Sequence, residues 1–372
     1  MAQDSNRYLV LDGLRGVAAI SVMLYHFCMG TSMALFPNAT VGVDLFFMLS
    51  GFVLAHAYTA RFQQGYAYSA YLYRVLIRLY PMLLAGCVLG ALGLFLHRNA
   101  GFIAVSDKEI IMAFVSNALF LPYLHLSKFT AYVQPIFPTD HPAWSLFFQL
   151  TANILLLPLL VLRTKKLAQV MLASLIGLMW LGYVYASSTN QPVLVIPSIG
   201  WDSLNFMGGF PRVLFGFTAG ILLQRFLHTP VTRSWLDNNS VYQKACKIPF
   251  IAYFLALGLF SLSPTYGYGI FAVLSLLACP LVILLGAGSA HTSRIMTQLS
   301  TFMSWISYPL YCVHMPVGWL IDTAYKTLSL PPALAAMPQP VLSVLAAVPV
   351  TIVLIKLYEE PVRALLTPKK RG

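Results

Sequence analysis

The chain has 372 residues, of which 59% are hydrophobic and only 9% charged, with a formal net charge of +12 and a mean hydropathy of +0.75. Soluble domains carry roughly 25% charged residues, so an ordinary soluble protein is excluded and a lipid bilayer is the expected partner. The positive surplus sits in short loops between apolar segments, which is the pattern of a topology signal, and no nucleic-acid partner is expected.

Apolar stretches long enough to span a membrane, or nearly so, occur at 9–29, 41–60, 77–97, 143–162, 167–186, 204–226, 248–263, 266–287, 298–321 and 339–358. They predict an all-α, polytopic membrane protein with about ten transmembrane helices. Asp12 and Arg15 interrupt the first stretch near its start, so it reads as a span and not as a cleavable signal peptide. Residues 108–122 form a shorter run, expected to be a surface or re-entrant helix.

Charge favours that assignment. If 108–122 does not cross, four of the 23 Lys and Arg (Arg98, Lys108, Lys128, Lys326) fall outside, two (Arg15, Arg212) lie within spans, and the other seventeen collect inside. If it did cross, the Arg163–Lys166 cluster would change sides and spoil the bias. The expectation is therefore a multi-pass protein with both termini cytoplasmic. It forms a single transmembrane domain over 1–372, with no appended soluble domain. Five cysteines (Cys28, Cys87, Cys246, Cys279, Cys312) lie mostly in apolar runs without metal-ligand spacing, and they read as packed thiols. No metal site and no bound cofactor are expected, and no internal repeat of the transporter kind is visible.

Arg15 and His26 stand out in the first span. Eleven helical steps of 100° exceed three full turns by about 20°, so both side chains share one face, roughly 16 Å apart along the axis. Ionisable groups inside a span are costly and mark function. The predicted topology puts Asp12, Arg15, Arg74, Arg78, Glu359 and Glu360 near the cytoplasmic face. It puts His26, Asp44, Trp144, Ser145, Gln149, Arg212 and His314 in the outer half.

Six segments stand out in order: Leu11-Asp12-Gly-Leu-Arg15-Gly with His26; Gly42-Val-Asp44-Leu-Phe-Phe-Met-Leu-Ser50-Gly51; Arg74-Val-Leu-Ile-Arg78-Leu-Tyr-Pro81; His141-Pro-Ala-Trp144-Ser145-Leu-Phe-Phe-Gln149; Tyr308-Pro-Leu-Tyr311-Cys-Val-His314; and Tyr358-Glu-Glu360-Pro-Val-Arg363. Together they resemble the membrane-bound acyltransferase 3 family from residue 9 to about 363. The resemblance implies transfer of an acyl group, usually acetyl, from cytoplasmic acyl-CoA to a hydroxyl. The acceptor it implies is a cell-envelope glycan, such as a polysaccharide or lipopolysaccharide, or a lipid-linked sugar, at the bacterial inner membrane.

Ester formation needs a base and donors for an oxyanion. His26 suits the base, and Asp44 either orients it or serves as a helix N-terminal charge. Arg15, Arg74 and Arg78 suit the phosphoryl groups of acyl-CoA, or else anchor the helices at the interface, with Asp12 one turn away as partner to Arg15. Trp144, Ser145, Gln149, Arg212 and His314 are candidates for acceptor or oxyanion contacts, or for helix packing. Two departures from the family pattern stand out: Gln149 replaces a usual Glu, and three residues separate Arg74 from Arg78 where two are common. The absence of a serine nucleophile motif beside His26 favours direct transfer. Two other readings stay open, a proton- or anion-coupled transporter and a non-catalytic glycan-assembly partner.

Overall fold

The computed structural model describes residues 8–126, 129, 134–155, 157–189, 199–248, 250–262, 268–289 and 293–367. Among these the regular elements are helical, apart from an isolated bridge between Pro135 and Asp202. The first part comprises α1 (Leu9–Cys28), α2 (Val41–Gln63), α3 (Tyr68–Asn99), α4 (Asp107–Ala118), α5 (Ala143–Leu155), α6 (Thr164–Thr189) and α7 (Gly209–Leu227). The second comprises α8 (Pro230–Asn238), α9 (Ser240–Lys247), α10 (Ile251–Ser261), α11 (Tyr268–Gly288), α12 (Arg294–Thr327), the single turn α13 (Pro332–Ala335) and α14 (Gln339–Leu354). A π-helical stretch, Ile355–Glu359, joins α14 to α15 (Glu360–Leu366).

Among the described residues, six helices are long and apolar enough to cross a membrane: α1, α2, α3, α6, α7 with its preceding turn, and the α14–α15 run. The pair α9 and α10, bent by 88°, adds a seventh if it forms one span. The structure thus supports an integral membrane protein with fewer clear spans than the ten read from hydropathy. Two differences have visible causes. α5 has 13 residues and gives way to a 3₁₀ segment at Leu157–Val161, where Pro158 lacks the N–H that an α-helix needs. α12 has 34 residues, about 51 Å, but carries Ser, Tyr and His residues into the interior. α4 is about 18 Å long, too short to cross, and starts with a reciprocal Ser106–Glu109 capping box. Arg7, Lys128, Lys369, Lys370 and Arg371, used in the charge argument, lie outside the described residues.

α1 lies at the centre, packed against α12, α10, α2 and α14. Small residues permit the close approaches, as is usual where lipid gives helices no hydrophobic reason to associate. A Cβ at Gly16 would sit 2.5 Å from Cβ of Met303, and one at Gly51 would sit 2.0 Å from the Phe217 carbonyl oxygen. These contacts fix α1 on α12 and α2 on α7. Gly208 and Gly209 likewise face the Ile199 and Phe148 side chains, as packing positions. All five cysteines are buried and free.

Candidate active site

Arg15 of α1 and Arg74 and Arg78 of α3 line one cavity of about 240 Å³, together with Ser50, Ser145, Gln149 and Asn153. Asp12 holds Arg15 through a 3.5 Å ion pair, as helical i,i+3 spacing predicts. The Arg74 guanidinium lies 5.6 Å above the Tyr66 ring, which leaves its N–H edges for an anion. A neighbouring cavity of about 710 Å³ shares Arg15, Val53, Arg78 and Tyr308 with the first and adds Arg61 and Arg363. The structure therefore brings the three predicted arginines together.

A separate cavity of about 340 Å³ is lined by His26, Thr40, His141, Trp144, Trp201, Arg212 and Tyr311. His26 faces it from α1. Its Nδ1 lies 2.9 Å from Nε2 of His314, which is fully buried on α12. The rings are almost parallel, at 11°, with centroids 5.2 Å apart, a spacing that fits two imidazoles meeting edge to edge. Nδ1 of His314 lies 3.0 Å from the Leu310 carbonyl. A carbonyl only accepts, so the His314 proton sits on Nδ1 and its Nε2 accepts in turn. His26 must then donate from Nδ1, which leaves its Nε2 with a lone pair. In the neutral pair this pattern holds each ring in one tautomer and prepares His26 as a proton acceptor.

Asp44 does not orient His26. Its carboxylate takes both N–H groups of one edge of Arg212, at 2.8 and 2.9 Å. Arg212 is 3% exposed. It also donates to the Ile199 carbonyl at 3.2 Å and lies 5.3 Å from the Trp144 ring centroid. This bidentate pair ties α2 to α7, and its Arg212 lines the histidine cavity. The orienting partner of His26 is His314, which the sequence placed among acceptor or oxyanion groups.

The α5 residues divide between the two cavities. Trp144 lines the histidine cavity, while Ser145 and Gln149 line the arginine cavity. Gln149 lies about 7.5 Å further along the axis than Trp144, which carries it away from His26. Its side-chain amide donates to Ser50 at 2.9 Å.

Tyr311 lines both cavities. Its hydroxyl lies 2.8 Å from Oγ of Ser145, and Phe46 meets its ring edge-on at 5.4 Å. The sequence motifs contain Tyr311 and His141 without marking either for a role, and Trp201 falls outside them. The signal for Tyr311 was present: i,i+3 spacing puts it on the same face of α12 as His314.

A helical membrane protein that turns arginines into one cavity and a poised imidazole pair into the next is equipped to join an anionic substrate to a nucleophile. The profile of the acyltransferase 3 family, described as an acyltransferase domain, matches residues 8–356, and the chain belongs to this family. It is accordingly an acyltransferase that moves groups other than aminoacyl groups. A curated relative, "Protein 2 in picA locus" of Rhizobium radiobacter, is 35% identical over 163 residues, which cover 40% of this chain and 79% of that protein. No solved structure matches.

Proposed function

We propose that the protein is a transmembrane O-acyltransferase of the bacterial inner membrane, with ten crossings and both termini cytoplasmic. Acyl-CoA, most simply acetyl-CoA, enters the arginine cavity from the cytosol. Arg15, Arg74 and Arg78 take its phosphoryl groups, for which guanidinium geometry is suited. A hydroxyl of a cell-envelope polysaccharide, lipopolysaccharide or lipid-linked sugar enters the histidine cavity from the other side.

The chemistry follows from the tautomers. Nε2 of His26 accepts the hydroxyl proton as the oxygen attacks the thioester carbonyl. The His26 ring becomes an imidazolium, and its Nδ1–H bond to His314 becomes charge-assisted and stronger. The C–S bond breaks, and the thiolate leaves with the proton that His26 returns. Trp144 and Arg212, the latter held by Asp44, form the wall against which the acceptor lies.

One observation carries this reading: the arginine cavity and the histidine cavity sit back to back and share Tyr311. The test is acyl-CoA consumption by purified protein in detergent, followed as free thiol, with an envelope glycan extract as acceptor. Turnover without any gradient, lost in His26→Ala at normal protein yield, is the predicted result. A transporter or a purely structural assembly partner would consume no acyl-CoA. Mass spectrometry of envelope glycans and lipids with and without the gene then identifies the acceptor by one acyl increment.

A further inference from the structure

Resting on that reading, we infer that the Tyr311 hydroxyl is a catalytic hydrogen-bond donor to the oxyanion formed from the thioester carbonyl. The argument begins with location. The donor substrate enters one cavity and the nucleophile is activated in the other, so the reacting carbon must lie where the two adjoin. Among the described residues, Tyr311 is the side chain that lines both. It is 4% exposed, and Phe46 and His314 flank its ring at centroid distances of 5.4 and 6.0 Å. The ring is held, and rotation about the C–O bond is the motion left to the hydroxyl.

The proton count then fixes the direction of its bond. Ser145 Oγ lies 3.0 Å from the Pro142 carbonyl and 2.8 Å from the Tyr311 hydroxyl. A serine hydroxyl has one proton, and the Pro142 carbonyl can only accept. Ser145 therefore donates to Pro142 and accepts from Tyr311. The Tyr311 proton is the one that points into the partition between the cavities, parked on a neutral acceptor. A carbonyl oxygen that gains negative charge at this point is a better acceptor than Ser145 Oγ. As the acceptor oxygen bonds to the carbonyl carbon, the C=O electron pair moves onto oxygen. Tyr311 turns its O–H to that oxygen and keeps its proton. When the C–S bond breaks, the carbonyl reforms and Tyr311 returns to Ser145. Ser145 is thus a positioning residue.

The experiment compares Tyr311→Phe and Ser145→Ala in the full-length protein, using acetyl-CoA and the glycan extract. Loss of one oxyanion donor lowers the rate about 10²- to 10³-fold, so Tyr311→Phe is expected to lose that much kcat with little change in KM for acetyl-CoA. Ser145→Ala removes the resting acceptor and leaves the Tyr311 hydroxyl in place, so it is expected to lower kcat by less than Tyr311→Phe does, and a larger loss in Ser145→Ala than in Tyr311→Phe overturns the assignment of the donor to Tyr311. Tyr311→Phe with wild-type kcat, or with faster acetyl-CoA hydrolysis, overturns the inference, and the second result would make the hydroxyl a barrier between the cavities. If Tyr311→Phe fails to fold, 3-fluorotyrosine at 311 preserves size and strengthens the donor. A shifted pH–kcat profile supports the assignment, and an unchanged profile overturns it. Wild-type protein that consumes no acetyl-CoA defeats the acyltransfer reading itself, and this inference with it.

Discussion

Replacing His314 by phenylalanine removes the acceptor that keeps the His26 proton on Nδ1, while a flat ring of similar breadth remains. The wild-type bond is 2.9 Å long and buried on the His314 side. An orphaned buried donor costs about 1–3 kcal/mol, so the His26 proton shifts to Nε2, the nitrogen that must be free to accept. Each 1.36 kcal/mol is tenfold in rate, so kcat should fall about 5- to 150-fold. KM for acyl-CoA should hold, because the arginine cavity is untouched. His314→Gln provides the control: its side-chain oxygen accepts where Nε2 did and should restore most of the rate. Initial rates in detergent at saturating acyl-CoA measure both. The tautomer argument is wrong if His314→Phe turns over like wild type, or if His314→Gln is as slow as His314→Phe.

Other substitutions probe the remaining parts. Arg212→Ala leaves Asp44 without its bidentate partner and should cost about 3–5 kcal/mol, seen as a large drop in detergent melting temperature; a shift of a degree or two would deny the pair its structural role. Arg78→Ala should raise KM for acyl-CoA about 10- to 150-fold with kcat unchanged, since charged hydrogen bonds are worth about 1.5–3 kcal/mol; an unchanged KM would reduce Arg78 to an interfacial anchor. Gly51→Leu forces side-chain atoms into the Phe217 carbonyl and should cost more than the roughly 1–3 kcal/mol of ordinary overpacking. Size-exclusion chromatography should show aggregation, and a monodisperse peak at normal yield would contradict the packing.

Local spacing made part of this site readable. Arg15 and His26 share a helical face, and both face cavities, because eleven residues return a helix close to its starting azimuth. Arg74 and Arg78 lie one turn apart on α3 for the same reason. The partners across helices were not readable. His26 meets His314 across 288 residues of sequence and Asp44 meets Arg212 across 168, and nothing in either segment specifies its mate. Asp44 was matched to His26 on equal depth alone, and depth leaves azimuth undetermined. Gln149 shares a motif with Trp144, yet Ser145 and Gln149, one turn apart, turn to the arginine cavity while Trp144 turns to the other. Hydropathy reads ten runs as spans, whereas six or seven helices among the described residues are long and apolar enough to cross, and the two counts part at α5 and α12. Apolar runs there reflect protein interior as much as lipid, and α12 buries polar side chains that lower its hydropathy without leaving the bundle.

The account depends most on where an acyl-CoA sits. A structure of the protein with a non-hydrolysable acyl-CoA analogue would decide this. The predicted density runs from phosphates at Arg15, Arg74 and Arg78 to an acyl carbonyl at Tyr311, on the side of that residue away from Trp144. Analogue bound in the cavity of His26 and Arg212, or bound elsewhere with the three arginines empty, would contradict the assignment of the two cavities.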